Sequence, residues 1–278
     1  MTGYGSGTLP IAVAHRGGAG IGRENTMEAF RRSTALGIRH LEFDIRLTRD
    51  RVPVLFHDQT LEAVTGMPTP ITALTLEELS QVEVAPGLWV PTLADVLHGF
   101  ATASLMIDIK DAAAMTPVLD IIDDFGATDR VCLTGGWDRH LRRARARFPG
   151  VHTNLGWGRM SMLLAGGHAR LGASRLGSKA TFVHLPYRLG RFQSYVPRLV
   201  GLAHDLDLRV MVWGVDEPSV MHRLLDDGVD GLITDRPDLL REVLISRDQW
   251  LPHQPASRPA IEPTRPVSED AGRTGMSG

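Results

Sequence analysis

The 278-residue chain has a single cysteine, Cys132. No internal disulfide can form, so a disulfide-stapled secreted scaffold is excluded. Cys132 sits in the apolar run "RVCLT", the setting of a buried strand residue rather than a nucleophile. Net charge is also lacking. The formal value is -2, so no field of one sign draws the chain to nucleic acid or to an anionic membrane. Aromatics make up 6% and are not interleaved with a broad basic surface, which removes the signature of a nucleic-acid binder. No apolar stretch approaches the roughly 20 residues of a membrane-spanning helix. The opening "MTGYGSGTLPIAVAHRGG" has neither a basic n-region nor a long apolar h-region. The expectation is a soluble cytoplasmic protein with no integral membrane segment and no nucleic-acid partner.

What is present suits a large α/β domain. Hydrophobic residues make up 43% and charged residues 22%, ordinary proportions for a globular chain. Composition changes near residue 248. From Gln249 the sequence is rich in Pro, Ser, Arg and Gly, and too poor in apolar residues to offset its ordering entropy. This predicts a domain over 1–248 and a disordered tail over 249–278. Within the domain, eight short apolar or β-branched runs alternate with amphipathic helical patterns. The runs are 10–15, 40–45, 104–110, 130–134, 151–155, 181–185, 209–213 and 231–235. Eight strand–helix units point to a (β/α)8 TIM barrel, with a doubly wound open sheet as the alternative. The stretch 46–90 interrupts the alternation. It starts with a hairpin-like "LTRDRVPVLFHD" and reads as an elaborated loop after the second strand, on the face where barrels carry function.

Charged residues concentrate at the ends of these strands. Glu42 and Asp44 are two apart and share one strand face. Asp108 and Lys110 repeat the spacing on the third strand. Three carboxylates on neighbouring strands suit a hard divalent ion, Mg²⁺ or Ca²⁺. A salt-bridge network around Lys110 is the alternative. His15 ends the first strand and His57 ends the extra hairpin, so two histidines that titrate near neutral pH flank the cluster. Arg16, Lys110 and the amides of the loop holding Gly17, Gly18, Gly20 and Gly22 suggest an anion site, most naturally for phosphate. In "ENTME", Asn25 reads as a helix N-cap, with Glu28 completing a capping box. His184 reads as a packed polar residue or a groove-lining one. His98, His140, His204 and His222 fall in helical patterns, and Asp235 in "TDRP" reads as a helix cap.

Five segments in order, "HRGGAGIGRENTMEAF", "LEFDIRLTRDRVPVLFHD", "IDIK", "VMVWGVD" and "GVDGLITDRPD", resemble the glycerophosphodiester phosphodiesterases. The resemblance spans about residues 11–245. It implies a TIM barrel, a divalent metal, and hydrolysis of glycerophosphodiesters to glycerol 3-phosphate and an alcohol. Carried over by position, it makes His15 and His57 the acid/base pair. Glu42, Asp44 and Asp108 become metal ligands, and Arg16 and Lys110 become phosphate contacts. Trp213 becomes a wall of the substrate groove, where a core aromatic is the other reading. The chain departs from the pattern in three places. Asp108 stands where glutamate is common. Gly214, Val215 and Asp216 stand where Thr-Val-Asn is common. Val64 replaces an arginine, a change expected to affect loop packing.

The expected partner is a small glycerophosphodiester. Other readings are a lysophospholipase D or cyclising phospholipase-like activity on a lysolipid, and a non-catalytic phosphodiester-binding barrel. Arg139, Arg143 and Arg147 recur at helical spacing in "WDRHLRRARARF". They form either a solvated outer helix or a stripe with weak attraction to a membrane surface.

Overall fold

Strands buried on both faces need apolar side chains on both, and the eight runs supply them. In the computed structural model, which describes residues 3–5, 10–166, 180–189, 192–193, 195 and 197–250, each run forms a strand. They are β1 (Ile11–Ala14), β2 (His40–Leu47), β3 (Ser104–Ile109), β4 (Val131–Thr134), β5 (His152–Thr153), β6 (Phe182–Pro186), β7 (Arg209–Trp213) and β8 (Gly231–Thr234). All pair in parallel, in the order β5-β4-β3-β2-β1-β8-β7-β6. A parallel bridge between Asn154 and Phe182 joins the two ends, with Thr181 N–H donating to the Thr153 carbonyl at 2.9 Å. A helix follows every strand, and the ring is a (β/α)8 barrel. Residues 251–278, most of the expected tail, lie outside the described residues.

The two strand faces have separate tasks. Leu41, Phe43 and Ile45 of β2 point outward into the layer shared with the helices. The alternating Glu42 and Asp44 point into the barrel. Val13 of β1, Met106 of β3 and Cys132 of β4 also face the interior, with Phe182 and Met211. Burial pushes the Cys132 thiol well above its ordinary value, which leaves it inert.

Tyr4 closes the barrel at the N-terminal ends of the strands. It is buried, lies edge-on to His40 and Phe182, and is tied by its N–H to the Asp129 carbonyl at 2.6 Å. Its hydroxyl finds no hydrogen-bond partner among the described residues. An unpartnered buried hydroxyl costs stability. Tyr4→Phe is therefore expected to stabilise the fold by up to about 1 kcal/mol in urea unfolding. A clear loss of stability would mean that the hydroxyl carries an interaction.

The segment after β2 is the expected elaboration. Pro53–Leu55 runs antiparallel to the end of β2, pairing Leu55 with Ile45 and Pro53 with Leu47. Beyond it, short helices at Leu76–Leu79 and Leu93–Gly99 each start on a threonine capping box. Val54, Phe56, Leu61, Ile71, Leu79 and Val90 give the insertion its own small core. Val64 packs against that core, as its place in the sequence suggested.

Candidate active site

Strand register sets the carboxylates. Asp44 lies beside Asp108 across the β2–β3 ladder, and Glu42 is one inward step below Asp44. Oxygens of Glu42, Asp44 and Asp108 come within 4.8 Å of one another. Lys110 reaches back into the group, 2.9 Å from Asp44 Oδ1 and 2.5 Å from Asp108 Oδ2. The lysine network is therefore formed, around carboxylates close enough to one another to share a cation.

The charges respond to this crowding. Burial first, then the Asp44 charge, pushes the Glu42 carboxyl above the usual carboxylate range. Burial works the same way on Asp44, but Lys110 and Arg16 outweigh it and hold that carboxyl low. Burial opposes protonation of Lys110, yet Asp108 and Asp44 raise it.

His15 ends β1 and opens a tight turn, His15–Gly17. Its Nδ1 is 2.7 Å from Asp235 Oδ1, and its Nε2 is 3.9 Å from Glu42 Oε2. Burial would lower its pKa. The Glu42 charge and the bond to Asp235 reverse this and lift it to about 9. Arg16 follows with φ 49°, a left-handed conformation rare for arginine. That strain aims its N–H at Glu42 Oε2 (2.7 Å), while its guanidinium pairs with Glu24 at 2.8 Å and lies 3.3 Å from Asp44.

Three readings of the sequence are corrected here. Asn25 is not the N-cap. Thr26 caps the helix Met27–Ala35 by accepting the Ala29 N–H, and Glu28 pairs with Arg32. Asn25, at φ 55°, instead donates from Nδ2 to Asp44 Oδ2 at 3.0 Å and accepts the Asp44 N–H. Asp235 is not a cap either. The helix Pro237–Ser246 has no side-chain cap, and the Asp235 carboxylate orients His15. The glycine loop offers little to an anion, because the N–H groups of Gly18, Gly20 and Gly22 donate to the carbonyls of His15, Asp235 and Gly18. Its glycines let protein approach protein. A Cβ on Gly17 would meet the Phe30 ring at 2.6 Å, and one on Gly20 would meet Arg236 at 2.5 Å.

Asp216 has a role that the sequence did not reveal. One oxygen, Oδ1, accepts from Thr234 Oγ1 and from the Asp235 N–H, each at 2.8 Å, and so anchors the residue that orients His15. Gly214 sits at φ 74° in open space.

His57 stands on the loop after Pro53–Leu55, its Nδ1 2.8 Å from Asp58. One cavity of about 590 Å³ gathers all eight residues singled out from the sequence: His15, Arg16, Glu42, Asp44, His57, Asp108, Lys110 and Trp213. Trp213 packs on the barrel interior and also lines the cavity. His184 also lines the cavity. Its buried Nε2 has no partner among the described residues, and burial lowers the ring to about 4. The opposite wall is apolar, built from Trp137, Leu155, Trp157 and Met160. On the outer helix Asp138–Arg147, Arg147 pairs with Asp120 and Asp123 at the surface.

The sequence profile of the glycerophosphoryl diester phosphodiesterase family matches residues 15–239. The chain belongs to that family. The match runs from the first cavity histidine to beyond Asp235, so it takes in every residue of the site described above. A Mycobacterium tuberculosis protein named "Probable glycerophosphodiester phosphodiesterase 2" is 38% identical, over 86% of this chain and 92% of its own length. A mouse protein named lysophospholipase D GDPD3 is 26% identical, over 87% of this chain and 84% of its own. Among solved structures, an Oleispira antarctica phosphodiesterase bound to its product sn-glycerol-3-phosphate shares the fold, with a TM-score of 0.72. It is 19% identical and the match covers 85% of this chain and 97% of that one. Membership of this family makes the chain an enzyme, a phosphoric diester hydrolase. No helix among the described residues is long and apolar enough to cross a membrane.

Proposed function

We propose that the enzyme hydrolyses glycerophosphodiesters to glycerol 3-phosphate and an alcohol, with His15 and His57 as its acid/base pair. The observation that carries this reading is one cavity holding two histidines, two cations and a three-carboxylate cluster. The donor set fits a divalent cation. Its oxygens are hard ligands, and three carboxylates, two of them buried, converge within 4.8 Å of one another. Glu42, Asp44 and Asp108 would hold Mg²⁺ or Ca²⁺, which when bound polarises the phosphoryl group and stabilises its growing charge.

The remaining work falls to side chains. Arg16 and Lys110 hold the non-bridging phosphoryl oxygens. One histidine takes the proton of the attacking oxygen, and the other protonates the departing alkoxide. Asp235 fixes the His15 ring so that Nε2, not Nδ1, faces the cavity. Asn25 holds Asp44 in place.

The apolar wall of Trp137, Trp157 and Met160 favours a second reading, in which the glycerol half of the diester carries an acyl chain, so that the substrate is a lysolipid and the departing alcohol its headgroup. One assay separates the two. Release of glycerol 3-phosphate from glycerophosphocholine is followed with Mg²⁺ or Ca²⁺, then with EDTA, beside lysophosphatidylcholine as competitor. Turnover that EDTA abolishes and excess cation restores is the expected result. EDTA-resistant turnover overturns the metal assignment. Cleavage of the lysolipid alone establishes the second reading.

A further inference from the structure

Arg46 differs from the other cations near the cavity. It does not line the cavity, and none of its described bonds goes to Glu42, Asp44 or Asp108. Its side chain is only 13% exposed, so its charge is largely removed from water. A buried ion pair repays its desolvation poorly, which makes its geometry the thing to examine. Nη1 donates to Asp111 Oδ1 at 2.7 Å. Nε and Nη2 both donate to one acceptor, the backbone carbonyl of His57, at 3.1 and 2.8 Å. The second Asp111 oxygen accepts the Leu47 N–H at 3.0 Å. Three segments are therefore locked together: the end of β2, the loop carrying His57, and the turn that follows Lys110.

His57 needs such a lock. Its side chain is 35% exposed, and its one described ring bond goes to Asp58, which is itself half exposed. Among the described residues, nothing deep in the barrel grips the ring. The chain before it is pinned by Phe56 N–H donating to the Asp44 carbonyl at 3.0 Å. Arg46 pins the next carbonyl. Between these two points lie only the φ and ψ of Phe56 and His57. The forked guanidinium suits this role, because two parallel donors fix a carbonyl in direction as well as distance.

We propose that Arg46, held by Asp111, is a positioning residue that sets the His57 ring against the cavity. The inference rests on the reading of His57 as an acid/base group. Arg46→Met keeps the length of the side chain and removes every donor. It is expected to lower kcat by roughly 10- to 100-fold, the cost of a misplaced catalytic group, with KM changed less than about twofold. Arg46→Lys, which keeps one donor, should recover part of the loss, and Asp111→Asn should lie between Arg46→Lys and Arg46→Met.

The decisive measurement is a double-mutant cycle with His57→Ala. If Arg46 acts through His57, then Arg46→Met lowers turnover no further in the His57→Ala background. The Mg²⁺ affinity of Arg46→Met, read by calorimetry, should match that of the parent enzyme. Additive losses, a weakened Mg²⁺ affinity, or wild-type turnover in Arg46→Met would each overturn the clamp. If Arg46→Met fails to fold, the same cycle run with Arg46→Lys decides the matter. Wild-type turnover in His57→Ala alone would instead overturn the acid/base reading beneath it.

Discussion

Glu42→Gln is expected to slow turnover by on the order of 10³-fold and, in metal-free enzyme at pH 8, to make the fold more stable. The two effects share one cause. Glu42 is 5% exposed and ionises beside Asp44 and Asp108. Burial and the Asp44 charge raise its pKa from 4.5 to about 7. A carboxyl whose folded value lies above its unfolded one favours folding only while protonated. Its contribution is intact below about pH 4.5 and lost as pH rises through about 7. At pH 8 the ionised group is a net cost, and the neutral amide removes the repulsion while still accepting the Arg16 N–H. The expected gain is about 1 kcal/mol, less than the full shift because the amide brings an NH2 group that the buried site must also satisfy. Activity moves the other way, because an amide is a poorer ligand for a hard divalent ion and metal stabilisation of the transition state is worth several kcal/mol. Thermal unfolding of both proteins at pH 8, in EDTA and in Mg²⁺, checks the prediction. In EDTA the variant should melt higher. Adding Mg²⁺ should raise the parent more than the variant. A variant that melts lower in EDTA would mean that His15 and the Arg16 N–H already satisfy the Glu42 charge, with no need of a further cation.

How much of this was legible in the sequence depends on how far each residue's partner lies along the chain. The barrel strands could be read because both faces are buried, which writes continuous apolar runs such as "SLMIDIK". The inward acids stood out for the same reason, since Glu42 and Asp44 break an otherwise apolar strand at period two. Closure could not be read, because β5 has two residues and the ring is completed by one bridge beyond it, at Asn154. Asn25 and Thr26 are both good caps, and composition cannot choose between them. The choice is made by Asp44, nineteen residues away, which takes the Asn25 amide and leaves capping to Thr26. Asp235 and Asp216 were hidden in the same manner. Each sits at a strand end where capping or turn chemistry would account for an aspartate. Only parallel pairing of β8 with β1 brings Asp235 to a histidine 220 residues away.

That pairing makes the His15–Asp235 couple the second place where a large effect is expected. His15→Ala should lower kcat by about 10²- to 10⁴-fold, the range for loss of a general acid or base. Asp235→Asn is the more informative change. The carboxylate accepts from His15 Nδ1 at 2.7 Å, so Nδ1 carries the hydrogen and Nε2 faces Glu42 and the cavity. An amide can present its NH2 group there and favour the opposite tautomer, which leaves Nε2 with the hydrogen in the neutral ring. It also withdraws one of the two charges that lift His15 to about 9. The sign follows directly. A histidine whose folded pKa is raised gains stability when protonated, in full below its unfolded value of about 6.5, and loses it as pH rises through about 9. Removing the Asp235 charge should therefore lower that pKa and weaken the fold most at acid to neutral pH. In the pH–rate profile the limb belonging to His15 should move toward acid, with the plateau reduced about 10²-fold or more. Asp216→Ala tests the same chain one step further back. It frees Thr234 Oγ1 and the Asp235 N–H without touching the histidine, so it should reproduce the shift of the limb in weaker form. An unshifted limb in Asp235→Asn would assign the titration to another group and leave Asp235 as a purely structural contact of the barrel mouth.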